Sequence, residues 1–567
     1  MLKEFYVIVG GPAGLGVMRT GYILAKTFMR HGYWVFGTND YPSIIRGGHN
    51  SYLLRISRER IWSHRNLIDF VLALDKYSVL KYADKIRKNG RIIFDEKLDV
   101  DLKLEKKFLI KIPVSTILEK NRAEKIMTNS ILMGSIMALT GADIDILLKV
   151  IKENFRKDIA EKNILVAKDG YNFTLNKYGK LYSIEKKSGS RKILVTGNEA
   201  IGLGAIASGM KFFSAYPMTP ASPILHFLAR HQYDGDIVVI QAENELAAIN
   251  MIIGAAFAGV RAMTATSGGG FSLMTEALGL AAMTETPIVI VLAQRPGPST
   301  GLPTYTSQGD LRFVLHASQG EFPRIVVAPG DINECFEKTV EIFNLTDKYQ
   351  VPGIILIDKY LAESHMSVDM FKDEDIVIDR GEYISGEYFG ESYGRHIFTE
   401  TGISPRAIPS TKNAIVKTNS SEHDEYGYTS INPKIICKMI DKRFRKIRYM
   451  ERENIVKYKI YGDGNILLIG WGSTKGPILE AQKILGEEGI DTTFLQIIYL
   501  SPFPSKEIHD MLTKYDVKID IENNFTGQLA GLIMEKTGVK IDKLLLKYDG
   551  RPFNPIEIVE YVKEVSG

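Results

Sequence analysis

A chain of 567 residues that is 45% hydrophobic and 24% charged has ordinary globular composition, with room for three or four domains that each own a core. A formal net charge of +4 is near balance for that length, which argues against a nucleic-acid-binding protein while leaving local basic patches to meet phosphates. The longest apolar stretch, Ala247 to Val260, is too short to span a bilayer, so no membrane partner is expected.

The amino terminus, Tyr6-Val-Ile-Val-Gly-Gly-Pro-Ala-Gly-Leu-Gly16, reads as a strand running into a glycine-rich helix start. This is not the pattern of a signal peptide, and the cytoplasm is the expected compartment. Flavin and nicotinamide enzymes begin similarly, but the spacing fails: a G-x-G-x-x-G frame from Gly10 meets Pro12 and Leu15 where glycines belong. A flavin or nicotinamide oxidoreductase is therefore the weakest of the readings. Arg46-Gly47-Gly48-His49 is the other feature of this part, and packing between domains is the plain reading of Arg46. A first α/β domain is expected over 1–185, closed by a charged linker around Glu185 to Lys192.

The next part, expected over 193–366, alternates strand and helix signals. Ile237 to Gln241 reads as a strand, Asn244 to Gly259 as an Ala-rich helix, Arg261 to Thr266 as a strand, Phe271 to Met283 as a helix, and Ile288 to Ala293 as a strand buried on both faces. A doubly wound sheet built this way holds ligands in the loops leaving the carboxyl ends of its strands. Glu245, Ser267 to Gly270, and Arg295 all fall in such loops. Each also has a plain structural reading. Thr219 before Pro220 has the form of a hydroxyl N-cap with proline at the first helical position. Ser267, Gly268, Gly269 and Gly270 have the form of a cap and tight turn, though glycines there also leave bare N–H groups at a helix start that favours anions. Glu245 complements a helix dipole, and Arg295 stands at a strand end.

After about Asp369 the pattern breaks into a polar, Tyr- and Gly-rich connection without clear elements, expected over 367–456. Its Glu422-His-Asp-Glu425 run is read as a solvated loop rather than a metal site, and no metal ligand is assigned to this chain. From Lys457 onward (457–567) strand, turn, helix and strand recur: Asn465 to Ile469, Gly470 to Gly476, Pro477 to Glu488, and Thr492 to Ile498. This is a βαβ unit and implies a second parallel sheet. The turn lacks the ending of a phosphate-binding P-loop. Cys335 and Cys437 are the only cysteines, whereas an iron–sulfur cluster needs four thiolates as a rule.

Four segments, Tyr216-Pro-Met-Thr-Pro220, Glu245-Leu-Ala-Ala248, Thr266-Ser-Gly-Gly-Gly270 and Gln294-Arg-Pro-Gly-Pro-Ser-Thr-Gly-Leu-Pro-Thr304, resemble the alpha subunit of 2-oxoacid:ferredoxin oxidoreductases. Residues 1 to about 185 resemble that family's gamma domain, fused ahead of alpha as in archaeal two-subunit enzymes. The resemblance implies a multidomain α/β chain with a gamma-type domain, a pyrimidine-type doubly wound domain for thiamine diphosphate and a transketolase-C-terminal-like domain. It implies that Glu245 contacts the aminopyrimidine ring and activates C2, helped in cofactor binding by Ser267, Gly268 and Gly269. Arg295 is implied to hold the substrate carboxylate, with Thr219 and Thr304 contacting the substrate or the reacting carbonyl, and Arg46 and Gly47 to assist CoA binding or domain closure.

The implied activity is CoA-dependent oxidative decarboxylation of a 2-oxoacid, with electrons passed to ferredoxin. The glycine, aspartate and asparagine pattern that binds magnesium and the diphosphate is not evident, so the resemblance places Mg2+ and a 4Fe-4S cluster on a separate beta subunit. An aryl- or indolepyruvate-type subunit and a non-catalytic scaffold subunit are the alternatives.

Overall fold

The computed structural model describes residues 3–43, 48–100, 108–186, 191–372 and 376–566. The chain forms two compact units, Met1–Thr196 with Glu363–Met370, and Gly197–Ala362 with Phe371–Gly567.

The first unit is built on an eight-stranded mixed sheet. Its spatial order is Leu109–Ile112, Arg91–Asp95, Phe70–Ala73, Glu4–Pro12, His49–Ser57, Trp34–Asp40, His365–Asp369 and Lys192–Val195. The first four are parallel, whereas His49–Ser57 runs antiparallel to both of its neighbours. The glycine turn after Glu4–Pro12 leads into the helix Val17–Arg30, with Gly14 at φ 91° and Gly16 at φ 74°. Those left-handed angles suit glycine because it has no Cβ to clash. Arg46 and Gly47, and half of the expected charged linker, lie outside the described residues.

The second unit holds two sheets. The central one has the order Tyr499–Ser501, Ile325–Val327, Gly353–Asp358, Val289–Gln294, Arg261–Thr266, Met210–Ala215 and Val238–Gln241. All but Tyr499–Ser501 are parallel, so their carboxyl ends share one rim. Arg261–Thr266, Val289–Gln294 and Gly353–Asp358 are buried at every position, as a sheet covered by helices on both faces requires. The third sheet has the order Tyr458–Tyr461, Thr492–Ile497, Ile466–Trp471, Val517–Glu522 and Lys543–Leu546, parallel except for the first strand. One apolar core containing Ile290, Leu292, Ile354, Leu467, Trp471 and Leu495 joins the two sheets.

Three readings are corrected. Thr219 is not a helix cap: the helix is Ser222–Arg230, its cap position is Ala221 without a side-chain hydrogen bond, and a proline stands in its first turn. The connection is not without elements, because Pro433–Glu451 is a helix whose Asn432 side chain accepts the Lys434 N–H at 3.0 Å. Nor is the Glu422-His-Asp-Glu425 run solvated. His423 is fully buried with its ring 4.1 Å from that of His396, and Glu422 pairs with Arg443 at 2.6 Å.

Candidate active site at the carboxyl rim of the central sheet

Four strand ends of the central sheet carry the expected residues. Met210–Ala215 leads into the loop with Thr219, and Val238–Gln241 into Glu245 at the start of the helix Glu245–Phe257. Arg261–Thr266 leads into Ser267 and the helix Gly268–Met283, and Val289–Gln294 into Arg295. The glycine turn begins this helix three residues earlier than periodicity predicts, because glycines at a first turn carry no apolar signal.

Glu245 is 3% exposed, held at the helix start by Asn244, whose side chain accepts the Ala247 N–H at 2.8 Å. Its Oε1 is buried and has no hydrogen-bond partner among the described residues, and the same holds for Thr264 Oγ1, Thr266 Oγ1, Ser267 Oγ and Asp310 Oδ2. Leaving such atoms unpaired costs about 1–3 kcal/mol each, which a folded chain tolerates where a ligand completes them.

The glycine turn is a cradle for that cluster. A Cβ on Gly270 would stand 2.5 Å from Glu245 Oε1 and against Thr266 Oγ1, and one on Gly268 would stand 2.5 Å from Asp310 Oδ2. At Gly269 the nearest atom is 4.0 Å away, the Ser299 carbonyl oxygen, so the middle glycine faces open space. Bare N–H groups at the start of the helix therefore border buried acceptors and hydroxyls.

Arg295 Nη1 donates to the Thr219 carbonyl at 2.8 Å, tying two loops of the rim together. Burial lowers its guanidinium from the ordinary arginine value, with Asp310 opposing. Arg295 has no salt-bridge partner among the described residues, and the carboxylate acting on its charge is that of Asp310.

Thr304 is buried at 4% exposure on the loop that follows Arg295, while Gly297–Leu302 of that loop is exposed. The far end of the loop is latched to the central and third sheets. Thr306 Oγ1 donates to Asp358 Oδ1 at 2.9 Å, Gln308 Nε2 to the Trp471 carbonyl at 2.8 Å, and the Asn523 N–H to Gln308 Oε1 at 2.9 Å. The Glu522-Asn-Asn run thus holds the loop in place: Glu522 also accepts from Trp471 Nε1 at 3.0 Å and Asn524 Nδ2 at 2.7 Å.

The rim therefore unites Thr219, Glu245, Ser267, Gly268, Gly269 and Arg295. Sequence reasoning missed Asp310 and Gln294. Gln294 was legible only as the polar end of an apolar strand, and Asp310 only as the acid after Ser307-Gln-Gly309.

Comparison with known proteins agrees with this architecture. Residues 6–173 match the family described as pyruvate ferredoxin/flavodoxin oxidoreductase. Residues 203–442 match the thiamine-diphosphate-binding part of pyruvate flavodoxin/ferredoxin oxidoreductase, and 464–558 match core domain II of pyruvate:ferredoxin oxidoreductase. The alpha subunit of a 2-oxoacid:ferredoxin oxidoreductase from a Sulfolobus species is 35% identical over 98% of this chain and 96% of its own. The alpha subunit of enzyme 2 from Aeropyrum pernix is 32% identical over 100% of this chain and 98% of its own. The solved structure of 2-oxoglutarate:ferredoxin oxidoreductase from Magnetococcus marinus, with 2-oxoglutarate, coenzyme A and succinyl-CoA bound, superposes with a TM-score of 0.91 at 32% identity, covering 100% of both chains. The fold and rim define a thiamine-diphosphate-binding α/β enzyme subunit. The chain belongs to the alpha-subunit family of 2-oxoacid:ferredoxin oxidoreductases.

Proposed function

We propose that this chain, with a beta subunit, converts a 2-oxoacid and CoA to acyl-CoA and carbon dioxide, passing two electrons to ferredoxin. The observation that carries this reading is the meeting, at one rim, of the buried Glu245 carboxyl with its unpaired Oε1, the glycine cradle and the Arg295 guanidinium anchored on the Thr219 carbonyl. Arg295 presents a planar donor fork suited to a carboxylate, with one arm already fixed by the Thr219 carbonyl. Glu245 holds a carboxyl group where water is excluded, suited to exchanging a proton with a ring nitrogen.

The orphaned Glu245 Oε1 and the open face at Gly269 fit thiamine diphosphate, with Glu245 at its pyrimidine ring and Ser267, Gly268 and Gly269 beside it. That cofactor, when bound, supplies the nucleophilic carbon and the electron sink for loss of carbon dioxide. Thr219 and Thr304 are assigned to substrate contact from the loops that flank Arg295. Arg46 and Gly47 remain assigned to CoA binding or domain closure.

Cys335 is buried and Cys437 exposed, and two thiols cannot supply the four ligands of a cluster. The 4Fe-4S cluster, Mg2+ and the diphosphate site are accordingly assigned to the beta subunit. No described helix is long and apolar enough to cross a membrane, and the proposed compartment is the cytoplasm.

An anaerobic affinity purification of the tagged chain from its native cells tests this reading. The expected eluate contains a second iron-bearing polypeptide and reduces viologen only with CoA and a 2-oxoacid. A stable partner complex lacking that activity with every 2-oxoacid offered would overturn it.

A further inference from the structure

Asp310 joins the site from outside the recognised motifs. Its N–H donates to Gln294 Oε1 at 2.9 Å, and Gln294 ends the strand that delivers Arg295. Its Oδ2 is buried without a hydrogen-bond partner, beneath the place where a Gly268 Cβ would stand. The strand-end Gln294 thus anchors the Asp310 backbone, and the glycine turn covers its carboxyl, beside the proposed substrate clamp.

The charged groups around it are few. Arg295 faces it from the strand end, and Glu245 lies across the same turn against Gly270. Arg312, on the helix that follows Asp310, is paired with Glu535 at 2.5 Å. Ser267 and Gln294 are neutral. Burial pushes the Asp310 carboxyl up to about 6, with the Arg295 guanidinium working against that rise.

We propose that Asp310 is a positioning residue acting through Arg295, so that binding of an anionic substrate at the guanidinium draws a proton from solvent onto the Asp310 carboxyl. The inference rests on Arg295 being the carboxylate clamp. Before substrate arrives, ionised Asp310 compensates the half-buried cation. A substrate carboxylate takes over that role, and two anions sharing one cation in a poorly hydrated pocket repel. Protonation of Asp310 relieves the repulsion and leaves the full charge of Arg295 to the substrate. Affinity is therefore highest when Asp310 is protonated and falls as pH rises through about 6.

The test uses the complex of this chain with its beta subunit, measuring KM and kcat for the 2-oxoacid across about pH 5.5–8. The wild-type KM should rise about tenfold with pH. In Asp310→Asn it should stay low and flat, and Asp310→Glu should restore the slope, which separates charge from packing damage. Calorimetric titration of the 2-oxoacid in buffers of different ionisation enthalpy should show uptake of about half a proton near pH 6.5 in the wild type, and almost none in Asp310→Asn. An Asp310→Asn complex with the wild-type KM slope and proton uptake would overturn the proposal. Arg295→Ala forms a separate arm: unchanged substrate affinity there would remove the clamp itself, whatever Asp310 does.

Discussion

The two rims of the central sheet handle buried polarity in opposite ways. At the amino rim, Glu285 sits before the strand Val289–Gln294 and takes Lys442 Nζ at 2.7 Å, Lys446 Nζ, and His396 Nδ1 at 3.0 Å. Arg261, at the start of its strand, pairs with Asp347 at 2.8 Å, and Arg380 and Arg406 join the same carboxylate at 2.6 and 3.3 Å. Burial would push Glu285 up, but Lys442 and Lys446 hold it well below the usual carboxylate range. At the carboxyl rim, Glu245, Thr264, Thr266, Ser267 and Asp310 each keep an unpaired buried atom. At the amino rim Arg380 Nε and the Arg406 nitrogens also lack a hydrogen bond among the described residues, but they face the Asp347 carboxylate, and charge matched by charge fastens the connecting region to the sheet. At the carboxyl rim the unmatched atoms are acceptors and hydroxyls without an ion pair, which a ligand can complete.

That contrast is broken most severely by Glu245→Gln. Turnover of the reconstituted complex should fall by about 10²–10⁴-fold, with the melting temperature almost unchanged. Glu285→Gln should do the reverse, destabilising the chain by about 3–5 kcal/mol in chemical denaturation because two buried ammonium groups lose their counter-ion. The wild-type Glu285 network also predicts acid lability. A depressed carboxyl contributes stability above its unfolded value that is lost as pH falls through the folded one, so the Glu285→Gln chain should lose less stability than wild type below about pH 4.

The glycine turn sharpens the contrast within a single motif. Gly270→Ala should weaken thiamine diphosphate binding by about tenfold or more, since its Cβ meets Glu245 Oε1 and an overpacked site costs about 1–3 kcal/mol. Gly269→Ala, facing open space, should leave the melting temperature within experimental error. Calorimetry of the complex with added cofactor, together with a thermal scan, checks both.

Much of the carboxyl rim was legible because it repeats one grammar: a buried β-branched strand, a polar break, then a helix start. Arg261–Thr266 falls as expected, and Val238–Gln241 and Val289–Gln294 within a residue. What escaped depended on contacts distant in sequence. Nothing local to Asp310 reveals that its carboxyl lies beneath Gly268, and nothing local to Gln308 reveals its latch on Trp471 and Asn523. The helix Pro433–Glu451 escaped for another reason. It buries Lys442, Arg443 and Lys446 against acidic partners, so the face that packs inward carries charge and the apolar period is faint. Its Asn-Pro start was nevertheless present as a capping signal.

The division of labour between the rims is tested most directly by the exchange of the C2 proton of bound thiamine diphosphate with deuterium in the assembled complex. Wild type is compared with Glu245→Gln and Glu285→Gln, and each rate is normalised to folded protein. Such a division predicts exchange slowed by about a hundredfold or more in Glu245→Gln and unchanged in Glu285→Gln. Wild-type exchange in Glu245→Gln would contradict it.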